Sequence, residues 1–226
     1  MKLTLENINR VYTTEDQSVH ALKSCTIEFN SGSQYMIVGH SGSGKSTLLN
    51  ILGLLDTGYS GNYFIDNVSM RKLTHQQKAY YRNKVFGYIF QEYALVEYET
   101  VYNNVQIPLL YSSVPTSQHG HYIDEILQKV GLIDVKNKLV RYLSGGQRQR
   151  VAIARSLVNK PSIILADEPT GSLDDKNRAI ILDILYDYMD ETKILCFVTH
   201  DLEKNRRGNQ HVIYINDGEL STIDGT

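Results

Sequence analysis

The feature that most constrains the fold of this chain is an octapeptide at residues 39–46, Gly-His-Ser-Gly-Ser-Gly-Lys-Ser. It matches the pattern G-x-x-x-x-G-K-[ST], whose glycines let the backbone curl until successive N–H groups face one anion. The pattern gains weight when a buried strand precedes it and a helix follows. Here residues 35–38 are an apolar run, and residues 46–53 have the pattern of a helix that ends at glycine. The sequence therefore predicts a strand, loop and helix that bind phosphate.

The side chains of this loop have separate expected roles. Lys45 would bring a positive charge to the β- and γ-phosphates, Ser46 a hydroxyl to Mg²⁺, and Thr47 a donor to the α-phosphate. The other expected ATP-binding residues line the curled backbone: Gly39, Ser41, Gly42, Ser43 and Gly44. The alternatives are a Gly/Ser-rich surface turn and a dinucleotide-binding loop. The dinucleotide pattern fits poorly, because Thr47 stands where its third glycine belongs.

A second motif would supply acids to the same site. Residues 162–166 follow Pro161 as a mostly apolar run typical of a buried parallel strand, and Asp167 and Glu168 come directly after it. Ligands of open α/β sheets lie beyond the carboxyl ends of the strands. Asp167 suits the Mg²⁺ shell, and Glu168 is then placed to orient and polarise the attacking water. An ordinary acidic turn is the alternative.

Two further predicted strands end at polar side chains. The run at 194–198 leads to His200, which could reach a γ-phosphate, although a lone histidine is usually structural. The run at 85–90 ends at Gln91, whose neutral amide can bind Mg²⁺ or water. We therefore expect three strands to converge on one hydrolytic site.

The pentapeptide Leu-Ser-Gly-Gly-Gln at residues 143–147 predicts a second anion site. Ser144 is a good N-cap, and Gly145 and Gly146 leave bare backbone N–H groups at the start of a helix that continues to about residue 158. One chain would then have two phosphate-binding helix starts but only one set of hydrolytic side chains. That combination is unexplained for a monomer.

In order and spacing, these motifs resemble those of the ATP-binding cassette (ABC) ATPases, and the resemblance runs from end to end. The matching segments are Walker A at 39–47, the Q-loop at Gln91, the signature at 143–147, Walker B at 163–168, the D-loop at 172–174 and the H-loop at His200. The resemblance implies an α/β fold with a RecA-like P-loop NTPase core, an antiparallel β subdomain and an inserted α-helical subdomain.

We expect a single ABC ATPase domain over residues 1–226. The catalytic core and β subdomain would occupy 1–91 and 160–226, and the helical subdomain, which carries the signature, 92–159. The residue patterns agree, with alternating strands in 1–30 and 58–68 and a helix whose apolar face precedes Gly131. Residues 212–215 and 220–223 predict a hairpin, and His119-Gly120-His121 predicts a loop.

The resemblance also assigns roles within a head-to-tail homodimer. Ser144, Gly145, Gly146 and Gln147 of each copy would close on the ATP held by the other, and Asp174 would communicate across the interface. The implied catalytic residues are Glu168, His200, Gln91 and Lys45, with Mg²⁺ held by Ser46, Gln91 and Asp167. Tyr12 lies where the family places an aromatic ring on adenine, although an ordinary half-buried strand tyrosine remains the alternative.

Composition excludes some partners and locations. The net charge of −2 gives no basic character, so we expect no nucleic-acid partner. No apolar run approaches the roughly 20 residues that cross a bilayer, so we expect a peripheral protein on the cytoplasmic side of the cell membrane. Cys25 and Cys196 both lie in strand-like segments and are read as core residues.

The segment after Gln91, residues 92–110, is apolar and aromatic and, by resemblance, would accept a membrane permease. It includes Tyr93, Leu95, Val96, Tyr98 and Val101, whose alternative role is packing inside the helical subdomain.

Segments 80–91, 100–105 and 166–174 look like those of the MacB, lipoprotein-releasing and antimicrobial-peptide-resistance ATPases. This implies an ATP-hydrolysing subunit that powers a separate permease and exports or extracts peptides, lipoproteins or drugs. A cell-division signalling subunit with a membrane partner, or a soluble ABC ATPase acting on ribosomes or DNA, remains an alternative.

Overall fold

The computed structural model describes residues 1–14, 17–171, 173–208 and 210–223. Ser172 of the predicted D-loop lies outside the described residues. The chain forms two sheets with helices packed between and around them. The α/β fold class predicted from the motifs is confirmed.

An antiparallel sheet of four strands, in the order β2-β1-β4-β5, covers one side of the molecule. Its strands are β1 (Lys2–Thr13), β2 (Ser18–Asn30), β4 (Ser60–Ile65) and β5 (Val68–Ser69). Buried and exposed residues alternate along the start of β1, where Leu3 and Leu5 face the core. The predicted strands in 1–30 and 58–68 are therefore present and pair as one sheet.

A second sheet of six strands, in the order β10-β9-β3-β8-β7-β6, positions the phosphate loop and the acids. All of its neighbouring strands are parallel except the antiparallel pair of β9 and β10. The strands are β3 (Ser33–Val38), β6 (Phe86–Ile89), β7 (Ile163–Asp167), β8 (Ile194–Thr199), β9 (His211–Asn216) and β10 (Glu219–Ile223). Because β3, β7 and β8 are adjacent and parallel, their carboxyl ends lie at one edge.

Seven α-helices accompany the sheets in the described part of the chain. They are α1 (Lys45–Leu52), α2 (His75–Lys84), α3 (Val101–Leu110), α4 (Thr116–Lys129), α5 (Gly145–Leu157), α6 (Asp175–Asp187) and α7 (Leu202–Asn205). One hydrophobic core joins α1 to the antiparallel sheet and one face of the parallel sheet. A second core joins α3, α4, α5 and α6 to the opposite face. Helices α3 to α5 all lie within 92–159, and the subdomain boundaries stay a prediction.

The loop predicted at His119-Gly120-His121 is wrong, because all three residues belong to α4. His119 is 1% exposed, and its Nε2 donates to the Val114 carbonyl at 3.0 Å. It lies four residues before Ile123, on the same buried face of the helix. The apolar face extends through the segment and outweighs the weak helix propensity of Gly120.

Candidate active site

The phosphate loop leads from the end of β3 into α1, and its glycines are required by close backbone contacts. A Cβ on Gly39 would lie 2.3 Å from the Ile215 carbonyl oxygen. Gly44 has a φ of +110°, and its Cβ would lie 2.4 Å from the Ala21 carbonyl oxygen. The predicted strand, loop and helix are confirmed, and helix α1 begins at Lys45 with its N–H groups turned toward the loop.

Two polar side chains of the loop are buried. Lys45 is 8% exposed, and its ammonium group donates to the carbonyls of Gly39 at 2.9 Å and His40 at 2.7 Å. Ser43 is 1% exposed, and its hydroxyl has no hydrogen-bond partner among the described residues. A buried cation and an unpartnered buried hydroxyl beside a helix start fit a phosphate chain.

Asp167 ends strand β7 and suits a hard divalent cation. Burial raises the pKa of this carboxyl group, and the charge of Glu168 acts in the same direction. The hydroxyl of Ser46 and the ammonium group of Lys45 act in the opposite direction. A half-buried carboxylate near an exposed serine hydroxyl supplies the oxygen donors that Mg²⁺ prefers. The residues present therefore fit the expected metal.

This environment predicts opposite effects of Asp167→Asn on stability and activity. The pKa of the Asp167 carboxyl group is higher in the folded than in the unfolded protein. The negative charge of Asp167 therefore destabilises the nucleotide-free fold at pH values above that raised pKa. At pH 7 we expect the melting temperature of the nucleotide-free Asp167→Asn variant to exceed that of the original chain. The difference should shrink as the pH falls toward the unfolded-state pKa of about 3.9 and disappear below about pH 3, where both states are protonated.

Thermal melting at several pH values, together with ATP turnover in a Mg²⁺ titration, checks this prediction. Mg²⁺-dependent turnover should be lost in Asp167→Asn. A variant that melts at a lower temperature at pH 7, or that keeps its Mg²⁺-dependent turnover, would contradict the role of Asp167.

Glu168 and His200 form a pair beyond the ends of β7 and β8. His200 Nδ1 lies 3.2 Å from Glu168 Oε1. The Glu168 backbone has a φ of +44°, a left-handed conformation that costs energy for a residue with a side chain. Its N–H group donates to the Val198 carbonyl of β8 at 3.1 Å, which holds this conformation in place. The two side chains predicted to act at the γ-phosphate are therefore in contact.

Gln91 and Tyr12 lie at different sheets of the molecule. Gln91 is exposed and lies two residues after β6, the neighbour of β7. Tyr12 is 38% exposed in β1, and its hydroxyl donates to Asp56 Oδ2 at 2.8 Å. The guanidinium carbon of Arg10 lies 4.0 Å from the ring centroid, and Arg10 Nε also donates to Asp56. The tyrosine ring is thus held in a fixed orientation, and adenine stacking on it stays a prediction.

The signature begins helix α5 as predicted. The Ser144 hydroxyl accepts from the Gln147 N–H at 3.3 Å, and the Gln147 side chain accepts from the Ser144 N–H at 3.0 Å. This capping box fixes the helix start. A Cβ added at Gly145 would lie 3.6 Å from the Tyr93 hydroxyl, and one added at Gly146 would lie 2.4 Å from the Asn177 amide oxygen.

One residue, Asn177, lies between Asp174 and the signature. Its carboxylate caps helix α6 by accepting from the N–H of Asn177 at 2.9 Å and from its side-chain amide at 2.6 Å. These bonds lower the pKa of Asp174. The Asn177 amide in turn occupies the space beside Gly146, where a Cβ would lie 2.4 Å from its oxygen. The predicted communication residue therefore packs beside the signature of its own chain.

Sequence reasoning missed several residues that support the site. Asn177 orients Asp174, Asp56 holds Tyr12, and Asn205 joins two loops described below. His40 binds the β9–β10 turn through Asn216 Oδ1 at 3.1 Å. Asn177 could have been found as the third residue after a capping aspartate. The other contacts join segments far apart in the chain, and no local pattern indicates them.

A phosphate loop on a parallel sheet, an acid and histidine pair beside it, and a second anion-binding helix start in the same chain define an ATP-hydrolysing cassette. The chain belongs to the ABC transporter family, whose sequence profile matches residues 22–171. It is an ATP-binding cassette of this family and an ATPase.

Two relatives illustrate the similarity. The macrolide export ATP-binding/permease protein MacB of Mannheimia succiniciproducens is 41% identical over 224 residues, which are 99% of this chain and 34% of MacB. The ABC transporter ATP-binding protein YvrO of Bacillus subtilis is 41% identical over 218 residues, which are 96% of this chain and 95% of YvrO. The chain thus spans about a third of MacB and nearly all of YvrO.

Solved structures agree with this assignment. The dimeric structure of MJ0796, a bacterial ABC transporter cassette, matches with a TM-score of 0.88 and 35% identity over 99% of this chain and 100% of that one. A dimeric post-hydrolysis state of the same cassette, bound to ADP and Pi, also matches with a TM-score of 0.88. The RecA-like core with antiparallel β and α-helical parts is therefore confirmed.

Proposed function

We propose that this ATPase works as a homodimer on the cytoplasmic side of a membrane and powers a separate permease that exports or extracts peptides, lipoproteins or drugs. The observation that carries the proposal is an exposed apolar groove beside Gln91 that is joined directly to the signature helix. The relatives support it, because MacB is named as a macrolide exporter and YvrO as an ABC transporter ATP-binding protein. In the described part of the chain, no helix has the length and apolarity to cross a membrane.

The positions of the described residues support the following chemistry. Lys45 and the N–H groups of the phosphate loop would bind the phosphates, and Ser46, Gln91 and Asp167 would hold Mg²⁺. Bound Mg²⁺ would neutralise charge that develops on the phosphates during transfer. Glu168 would orient the attacking water and accept its proton, and His200, 3.2 Å from Glu168, would contact the γ-phosphate.

The second anion site supports the dimer. Ser144, Gly145 and Gly146 form the capped start of α5, a different helix from α1, which the phosphate loop begins. A second copy placed head to tail would bring its signature to the γ-phosphate side of this loop. The dimeric cassette MJ0796 supports such an arrangement.

The groove is a cavity of about 470 Å³ between α2, α3, α5 and β6. Phe90 and Tyr111, two of its lining residues, are 38% and 78% exposed. Exposed aromatic rings in a concave surface are typical of protein interfaces. We propose that a short amphipathic segment of the permease docks here.

Arg155 connects the segment beside the groove to helix α5, which begins at the signature. Its guanidinium donates to the carbonyls of Ala94 at 2.6 Å and Tyr93 at 2.9 Å, just after Gln91. Burial lowers the pKa of Arg155, and the group stays charged because its ordinary pKa is far above neutrality. A displacement of the segment after Gln91 would therefore move α5, which links permease docking to dimer closure.

The structure corrects part of the surface predicted at 92–110. Val101 is completely buried in the helical core, and Leu95 packs against that core. Val96 and Tyr98 are 45% and 74% exposed, as a partner surface requires. The packing role is thus present at Val101 and Leu95, and the exposed residues of the segment support the proposed partner surface.

Tyr111→Glu is expected to reduce co-purification of the membrane partner by about tenfold or more, because a charge would be buried in an apolar interface. The measurement is affinity purification of the chain from detergent-solubilised membranes of its own cells. Val68→Glu, on the exposed strand β5, is the control for a new surface charge. Equal recovery of the partner with Tyr111→Glu would contradict groove docking, and recovery of ribosomes or DNA instead would contradict the transport function.

A further inference from the structure

A buried asparagine connects the loop that carries Glu168 to the loop that carries His200. Asn205, the last residue of α7, is 3% exposed. Its Oδ1 accepts from the Thr170 hydroxyl at 2.8 Å. Its Nδ2 donates to the Thr199 hydroxyl at 2.9 Å and to the Asp201 carbonyl at 2.7 Å. One side chain thus spans the turns that follow β7 and β8.

The orientation of this amide is fixed by its neighbours. The Asp201 carbonyl can only accept, so the atom that faces it must be the NH₂ group of Asn205. Thr170 and Thr199 are 2% and 3% exposed, so water does not replace these bonds. The network is therefore satisfied and holds a single arrangement.

The bonded residues are direct neighbours of the reacting side chains. Thr170 lies two residues after Glu168, and the N–H of Gly171 donates to the Glu168 carbonyl at 3.1 Å. His200 lies between Thr199 and Asp201, both of which Asn205 binds. The distance of 3.2 Å between Glu168 and His200 thus depends on two loops that meet at one amide.

We propose that Asn205 is a positioning residue that sets the relative placement of Glu168 and His200 for hydrolysis. The inference rests on the proposed roles of those two residues. Without the amide, the turns after β7 and β8 would be linked less firmly. Glu168 would then move away from the position in which it orients the attacking water. A misplacement of about 1 Å can lower the rate on the order of 10²-fold.

Asn205→Ala is expected to lower kcat for ATP by about 10- to 100-fold with KM changed less than about twofold, because the phosphate-loop contacts remain. Thr170→Val, which keeps the shape of threonine but lacks the hydroxyl, should act in the same direction. Thr170→Ser, which has the hydroxyl that Thr170→Val lacks, should restore the turnover that Thr170→Val loses. The double variant of Asn205→Ala and Thr170→Val should lose little beyond the larger single effect, since both changes cut the same connection.

Tyr186→Phe is the matched control. The Tyr186 hydroxyl donates to the backbone carbonyl of Asn205 at 2.9 Å, so the change removes a hydrogen bond to the same residue but leaves its amide network intact. We expect lower thermal stability with kcat within about twofold of the original chain. Melting curves of every variant report how far each change affects folding alone.

If Asn205→Ala hydrolyses ATP at the full rate while Glu168→Gln is inactive, this result would overturn the positioning role of Asn205 alone. So would equal losses of kcat in Asn205→Ala and Tyr186→Phe at equal melting temperatures, or a loss confined to KM. A fully active Glu168→Gln variant would overturn the proposed catalytic role of Glu168 and, with it, this inference.

Discussion

Glu168→Gln is expected to lower ATP turnover by about 10²–10⁴-fold, the range typical for loss of a general base. Glutamine has nearly the same shape, but its amide cannot accept the proton of the attacking water. The backbone of Glu168 is held in its left-handed conformation by its bond to Val198, and that bond does not depend on the side chain. We therefore expect the fold and ATP binding to remain while the chemical step stops.

Phosphate release at saturating ATP and Mg²⁺ measures this effect. The control is Glu203→Gln, the same substitution on an exposed residue of α7. Its turnover should stay within about twofold of the original chain. Unchanged turnover in Glu168→Gln would remove Glu168 from the reaction, whereas equal losses in both variants would assign the effect to the local fold.

Gly145→Asp is expected to separate ATP binding from hydrolysis. An aspartate here would place a negative charge at the anion-binding start of α5, where the γ-phosphate of a second copy would lie. A Cβ at Gly145 meets nothing closer than the Tyr93 hydroxyl at 3.6 Å, an ordinary van der Waals distance, so the added carbon fits without a clash. ATP affinity of the monomer should change less than about twofold, and turnover should fall at least about 10²-fold, as for a lost transition-state contact.

Equilibrium binding of a labelled ATP analogue, together with steady-state turnover, tests this separation. Gly120→Asp is the control, because Gly120 lies in helix α4 and its Cβ would meet only the Tyr102 hydroxyl at 3.9 Å. Gly146 is unsuitable for this test, since its Cβ would collide with Asn177 at 2.4 Å. Equal loss of monomer ATP binding in Gly145→Asp would contradict the assignment of the signature to the other copy.

The sequence predicts those parts of the fold that depend on residues close together in the chain. The phosphate loop, strands β3, β7 and β8 and the capped start of α5 each follow from residues within about ten positions. The approach of Glu168 to His200 followed from the rule that parallel strands present their carboxyl ends at one edge. Local residue patterns and sheet topology therefore predict the phosphate loop and the pair of Glu168 and His200.

The remainder depends on contacts between distant segments. The loop predicted at His119 is wrong because the buried face of α4 on which it lies becomes visible only when the helices pack together. Val101 looked like part of an exposed apolar segment and is instead completely buried in the helical core. The hydrogen bond between Asn205 and Thr170 joins residues 35 positions apart, and no periodic pattern in the sequence indicates it. Such contacts are set by tertiary packing and cannot be derived from a single segment.

We propose that each ATP site is completed by the signature of a second copy. The most direct measurement is the mass of Glu168→Gln in solution, by light scattering after gel filtration, with ATP, with ADP and without nucleotide. We expect twice the monomer mass with ATP alone, and the monomer mass under every condition when Gly145→Asp is added. A Glu168→Gln chain that stays monomeric with ATP, or a dimer that survives Gly145→Asp, would contradict the account.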